Sequence, residues 1–302
     1  MRELIIIGGG PAGMTAAVYA ARKRIDTLLI SKDIGGQPLW SAGVENYMGY
    51  QYIEGFELMA KFEEQMKQFP VEQKIGQEVA ALSRRNAGFE IKTANGESYQ
   101  AKSVIVATGK RPRPLNVPGE ERLKGRGVTY CAICDGPLFA RQKVAVIGGG
   151  NSALEAADDM VKIAEQVYLV SLTPFTGDQV LIDKIRDASN LTMLLEHEVK
   201  SVEGSNNVEA IVIRDLKSGE EKRLAVGGVF IEIGMIPSSD LSKGIVRLNG
   251  LGEIEINCAT DTGVPGLFAA GDVTNAPEKQ ILVAAAEGAK AALQAHKYLQ
   301  RL

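Results

Sequence analysis

The sequence predicts an α/β fold of two Rossmann-like dinucleotide-binding domains, the second inserted in the first. Three observations predict it. Apolar, β-branched segments alternate with Ala-rich helical segments. A strand, a glycine turn and a helix open the chain at "ELIIIGGGPAGMTAAVYAARK". The same unit returns midway at "KVAVIGGGNSALEAADDMVKIA", a duplication on the scale of a domain.

"ELIII" reads as a buried parallel strand, "MTAAVYAARK" as its helix and "TLLI" as the next strand, together a βαβ unit. "GKRPRPLNVPGEE", residues 109 to 121, is rich in Pro, Gly and charge and reads as an exit from the first domain. After the second glycine unit, "QVYLVSL" is its following strand. "SSDLSKGIVRLNGLG", residues 238 to 252, reads as the return. "GLFAAGDV" ends the first domain's sheet, and a long Ala-rich helix follows from about residue 279 to 299. The expected domains are 1–113 with 247–302, and 114–246 inserted between them, the two linkers acting as a hinge.

Bulk properties exclude several classes. The chain has 302 residues, 45% hydrophobic and 24% charged, enough to bury a sizeable core. A net charge of −3 and the lack of a Lys/Arg block give no nucleic-acid surface. No apolar run is long enough to span a bilayer. Arg2 and the apolar run after it imitate a signal peptide, but the glycines fall at functional spacing, so the segment is read as structure and the expected compartment is the cytoplasm. Three cysteines form no secreted disulfide framework.

The first turn has the spacing Gly8-x-Gly10-x-x-Gly13. Gly8 permits the tight turn, Gly10 lets backbone approach a pyrophosphate, and Gly13 lets helix and strand pack closely. The helix N-terminus then holds the phosphates. The acid that would bind a ribose is unassigned, because Ser31 stands at the strand end and Asp33 lies beyond it. The second turn, Gly148-x-Gly150-x-x-Ala153 with Asn151 and Ser152 between, is an allowed variant of the same fingerprint. Ser171 stands where NAD selectivity would want an acid, and "SLTPFTGD" brings no cation for a 2′-phosphate. A nucleotide fold without a nucleotide is the competing reading of this second turn.

Cys131-Ala132-Ile133-Cys134 allows three readings. Zinc wants four ligands, and beyond this pair the chain has only Cys258, His197 and His296, so no metal is expected. A structural disulfide would close a tiny loop and stabilise little. A redox pair remains, with Asp135 beside it either as a proton carrier or as a turn residue before Gly136-Pro137. Cys258, in "EIEINCAT", is expected to be a small strand residue.

These motifs, in this order, resemble the low-molecular-weight thioredoxin reductase family of flavin-dependent disulfide reductases. The resemblance rests on "GGGPAG" at 8–13, "GGQ" at 35–37, "ENYMG" at 45–49, "VIVATG" at 104–109, "CAICDG" at 131–136, "VIGGGNSALEAA" at 146–157, "IGMIP" at 233–237 and "GLFAAGD" at 266–272. Within the family, "GVTYCAICDGPLF", "DQVLIDK" and "KQILVAAAEGAKAAL" are most similar to the reductase portion of the alkyl hydroperoxide reductase flavoprotein. The glycine turn begins at residue 8, so that flavoprotein's thioredoxin-like segment is expected to be missing and a free partner to take the electrons. The resemblance implies FAD held by Gly8, Gly10, Gly13, Gln37, Asn46, Ala107, Thr108, Gly109, Gly271, Asp272 and Gln280. It implies that Cys134 faces the flavin, Cys131 attacks the partner disulfide and Asp135 supplies the proton. It further implies a homodimer, a rotating inserted domain, and thioredoxin or a thioredoxin-like protein as acceptor. The donor stays open between NADH, NADPH, reduced ferredoxin and a deazaflavin. The expected function is thus thioredoxin-disulfide reductase, with a dithiol oxidase and a non-catalytic redox sensor as rivals.

Overall fold

The computed structural model describes residues 1–40, 44–86 and 88–302; the side chains of Trp40 and Cys134 also lie outside the described residues. The chain forms two compact units, Met1–Arg111 with Ile236–Leu302, and Pro112–Met235. The exit falls in the Pro/Gly-rich stretch that begins at 109. The return falls at Met235/Ile236, ahead of the expected 246/247. The cause is hydrophobic: Leu241, Ile245, Val246 and Leu248 pack against a core of the first unit that includes Ile5, Val104 and Ile254. The two crossings, Lys110–Pro112 and Met235–Pro237, pair as a two-stranded ribbon.

The first unit is built on a mixed sheet. Strands Arg2–Ile7, Thr27–Ser31 and Glu72–Ile75 run parallel, and Arg2–Ile7 also pairs in parallel with Ser98–Val106. Leu4, Ile5 and Ile6 are fully buried, as a parallel strand covered on both faces requires. The long strand Ser98–Val106 serves two partners. Its first half pairs antiparallel with Gly88–Thr93 of a hairpin, and its last residues pair parallel with Leu267–Ala269. Register places Ile7 opposite Ile30 and Val106, and Val106 opposite Ala269. The carboxyl ends of these strands therefore share one edge.

Helix Pro11–Arg22 starts with Pro in its first turn and Gly10 as an extended N-cap. It packs on helix Ile281–Leu299, which begins slightly later than expected. Both contact faces are small: Ala12, Ala16, Ala17 and Ala20 on one, Ala291, Ala292 and Ala295 on the other. A Cβ at Gly288 would stand 2.0 Å from the Ala12 carbonyl oxygen, so the two backbones approach as closely as they do only because Gly is there.

The second unit has a five-stranded parallel sheet in the order Leu191–Leu195, Gln166–Ser171, Lys143–Ile147, Gly228–Ile231, Val128–Thr129. A three-stranded antiparallel sheet, His197–Glu203, Ala210–Asp215 and Glu221–Ala225, packs beside it through Val199, Val202, Ile211 and Ile213. Helix Asn151–Val161 covers the other face through Ala153, Leu154, Ala157 and Met160. Among the described residues no helix is long and apolar enough to cross a membrane.

Gly288→Ala is expected to cost about 1–3 kcal/mol of stability through overpacking. Chemical denaturation measures it; an unchanged midpoint would show that the two helices separate freely.

Candidate active site

The residues expected to hold FAD gather just past the carboxyl ends of the first unit's parallel strands, where an open α/β sheet binds ligands. Gly8 follows Ile7, Ala107-Thr108-Gly109 follow Val106, and Gly271-Asp272 lie just past Ala269. Gly8 adopts φ +112°, and a Cβ there would meet the Ala107 carbonyl oxygen at 2.2 Å. A Cβ at Gly13 would stand 1.8 Å from the Gly8 carbonyl oxygen, which is the close strand–helix approach that the spacing predicts.

Gly10 behaves differently. A Cβ there would find its nearest neighbour only at 4.0 Å, so the N-terminus of a twelve-residue helix faces open space. No acidic side chain sits in that first turn. Free backbone N–H groups and the helix dipole thus point at a space that an anion can occupy. This cradle fits the pyrophosphate of a dinucleotide.

The side chains around the cradle are linked. Gln37 Nε2 donates to Asp272 Oδ2 and to the Lys110 carbonyl, each at 3.4 Å. Asn46 Nδ2 donates to Gln280 Oε1 at 3.0 Å. Burial pushes the Asp272 carboxyl above its ordinary range, against the pull of Lys279 and Lys110. Its long bond to Gln37 leaves acceptor capacity for a hydroxyl such as a sugar offers.

Two supports escaped sequence reasoning. Glu287, buried on helix Ile281–Leu299, accepts the Gly271 N–H at 2.7 Å and the Thr274 hydroxyl at 3.3 Å, fixing the turn before Asp272. Its only sequence signal is an acid within an otherwise apolar helix face. Glu253 accepts from Lys110 and Lys279, both at 3.0 Å, and from Asn249 at 2.7 Å. Burial alone would raise the Glu253 carboxyl, but these three hydrogen bonds outweigh it and hold it down at about 2. No motif marks Glu253, because its lysine partners are distant in sequence.

In the second unit, three neighbouring strands end together. Cys131 comes two residues after Thr129, Gly148 directly after Ile147, and Glu232 directly after Ile231. Register sets Phe230 opposite Thr129 and Ile231 opposite Ile147, so all three lie along one edge. Cys131 is engaged in a disulfide; the side chain of Cys134, expected to face the flavin, lies outside the described residues. The Thr129 hydroxyl donates to Asp135 Oδ2 and accepts the Cys131 N–H at 3.2 Å. Asp135 precedes the 3-10 turn Gly136–Phe139 without capping it through its side chain. Its carboxylate instead turns back toward the strand Val128–Thr129.

The second glycine turn is also formed. Gly148 has φ +145°, and a Cβ there would meet the Glu232 carbonyl oxygen at 2.2 Å. Gly150 caps helix Asn151–Val161 in extended backbone. Asn151 and Asp178 bond reciprocally, Asn151 Nδ2 to Asp178 Oδ2 at 2.9 Å and Asp178 N to Asn151 Oδ1 at 2.7 Å. Ser171 is buried against Gly149, where its hydroxyl occupies the space a side chain would need. Ser152 is exposed and Ala153 buried. Cys258 departs from expectation: it is free and exposed in a turn. Asn257 Oδ1 accepts the N–H groups of Ala259 and Asp261, at 2.8 and 3.2 Å, and so bends the chain out of any strand. Among the described residues no group of three His, Cys, Asp or Glu is placed to hold a metal ion.

Comparison with known proteins gives the same architecture. A family model described as pyridine nucleotide-disulphide oxidoreductase matches residues 2–288. The chain is 43% identical over 303 residues to a subunit of the alkyl hydroperoxide reductase of Pseudomonas putida, covering 99% of this chain and 58% of that protein. It is 40% identical over 300 residues to a protein of Bacillus subtilis named NADH dehydrogenase, covering 99% of this chain and 59% of that one. The chain thus spans less than two thirds of the length of these curated relatives. The solved thioredoxin reductase of Lactococcus lactis, in its FR conformation, superposes with a TM-score of 0.84 at 33% identity and full coverage of both chains.

Two measurements check the site. Gly10→Val is expected to leave stability within about 0.5 kcal/mol yet yield protein that does not retain flavin, whereas Gly13→Ala is expected to lose stability as well; visible absorbance and denaturation separate them. Glu253 contributes stability that is fully present above about pH 5 and is lost as pH falls through about 2. Glu253→Gln is therefore expected to cost at most about 3 kcal/mol at pH 7 and to converge with the parent near pH 2, read from urea melts across that range.

Proposed function

The chain belongs to the pyridine nucleotide-disulphide oxidoreductase family, and from that membership we propose that it is an FAD-dependent thioredoxin-disulfide reductase. One observation carries the reading. A Cys-x-x-Cys segment whose first cysteine is oxidised stands at the carboxyl edge of a nucleotide-type sheet, in a chain whose other unit offers an open glycine cradle.

FAD, when bound, supplies two-electron exchange between a donor and the disulfide. Gly8, Gly10 and Gly13 bind its pyrophosphate through backbone. Asp272, Gln37, Asn46 and Gln280 would hold its polar groups, and Ala107, Thr108 and Gly109 would contribute the backbone of the strand end. Cys134 would be the cysteine on the flavin side, and Cys131 the nucleophile toward the partner's disulfide. Asp135 passes on the proton that thiol exchange moves, and Thr129 orients its carboxylate. The acceptor is thioredoxin or a thioredoxin-like protein, and the working form is a homodimer, which sedimentation of the flavin-loaded chain measures.

NADH, NADPH, reduced ferredoxin and reduced deazaflavin are the donor classes to compare, a nicotinamide donor being the one that the second dinucleotide site, Gly148, Gly150, Asn151, Ser152, Ala153 and Ser171, would hold. The donor's potential must lie at or below about −270 mV, that of thioredoxin, since each 30 mV of gap is worth roughly 1.4 kcal/mol.

Stopped-flow flavin reduction by the four donors, followed by thioredoxin reduction, tests the proposal. The expected result is bleaching by one donor class and disulfide turnover that Cys134→Ser or Cys131→Ser abolishes with FAD retained. Peroxide release in air without thioredoxin reduction would replace the proposal with a dithiol oxidase. No bleaching by any donor would leave a sensor.

A further inference from the structure

Glu232 is a half-buried carboxylate that none of the chemistry above uses. It follows the strand Gly228–Ile231, and its Oε1 accepts the N–H of Ala132 at 3.4 Å. That nitrogen is bonded to the carbonyl carbon of Cys131. A carboxylate so close to the motif lies within the range over which one charge alters the proton affinity of another. Glu155, exposed on helix Asn151–Val161, acts on it as a like charge, and Asp135 is the other acid of the same segment, held by Thr129. At the same edge Gly148 stands against the Glu232 carbonyl.

We propose that Glu232 is a positioning residue that keeps the Cys131 thiol protonated and so makes the cysteine pair a stronger reductant. An ionised carboxylate beside a thiol disfavours the thiolate. Two electrons break the S–S bond, and two protons complete the two thiols. The less the reduced form is stabilised as thiolate, the lower the potential of the couple. Reducing a thioredoxin-like disulfide calls for a low potential, so the carboxylate favours the direction of the proposed reaction. The effect switches with pH. Burial, aided by Glu155 and opposed by the Ala132 N–H, pushes the Glu232 carboxyl up to about 7. The carboxylate therefore acts above that pH and falls silent below it.

This inference rests on the reading of Cys131 as a redox thiol, but its test needs neither donor nor acceptor, so the two can fail separately. In FAD-loaded protein carrying Cys134→Ser and Cys258→Ser, Cys131 is the only cysteine left of three. Alkylation by iodoacetamide, a neutral probe, is followed from pH 5.5 to 9. Adding Glu232→Gln is expected to speed alkylation about tenfold at pH 8, the gain closing as pH falls below about 6. In the protein with its cysteines intact, the same substitution is expected to raise the disulfide potential only at a pH high enough to ionise the variant's Cys131 thiol, by at most about 30 mV. Equal alkylation rates at every pH, or a gain that does not vary with pH, overturn the proposal. If Glu232→Gln does not fold, Glu155→Gln carries the test from the surface. Removing that charge lets Glu232 ionise at lower pH, so Cys131 alkylation near pH 6.5 must slow, and an unchanged rate overturns the proposal.

Discussion

Parallel strands can be joined only by a crossover that carries the chain back to the same end of the sheet. Their carboxyl ends therefore accumulate along one edge, and whatever follows each strand is presented there. Both units of this chain exploit that constraint. In the first, the residues after Ile7, Val106 and Ala269 meet around a glycine cradle. In the second, those after Thr129, Ile147 and Ile231 bring together Cys131, Gly148 and Glu232, which lie far apart in sequence. The glycines make the edge usable by letting backbone come within contact of backbone, as at Gly13 against Gly8.

Polar support for these edges comes from behind. Glu287 fixes the turn at Gly271 from a neighbouring helix, and Glu253 gathers Lys110 and Lys279 close to Asp272. Each is a buried carboxylate that closes a gap between segments of the first unit or between a helix and a turn. Removing Glu253 would leave Lys110 and Lys279 without their counter-charge, which costs more than the intact cluster is worth. The site is thus held by contacts between its two sequence segments, 1–111 and 236–302.

Much of this was legible in the sequence. Glycine spacing located both turns because the demand is local: one residue type at fixed intervals between a strand and a helix. The strands were legible for a similar reason, since burial on both faces leaves continuous apolar runs. Glu232, Glu253 and Glu287 were not legible, because nothing in a one-dimensional pattern says which carboxylate will turn inward or which distant partner it will find. The return point was misplaced because "SSDLSKGIVRLNGLG" looks like a linker by composition, while its Leu and Val side chains insert in a core. Cys258 was misread because the turn chemistry of Asn257 outranks the apolar alternation around it.

The interrupted sequence of the first unit has a consequence for biosynthesis. Strand Leu267–Ala269 and helix Ile281–Leu299 leave the ribosome only after the whole of Pro112–Met235 has emerged. The nascent amino-terminal segment must wait with the strand edge of Val104–Val106 and the alanine face of Pro11–Arg22 uncovered. The contiguous segment can finish first, since all five strands of its parallel sheet are local to it. The inserted unit can therefore complete its core before the first unit does, although the first unit's chain starts earlier, and the edge exposed in the interim is where a chaperone would act.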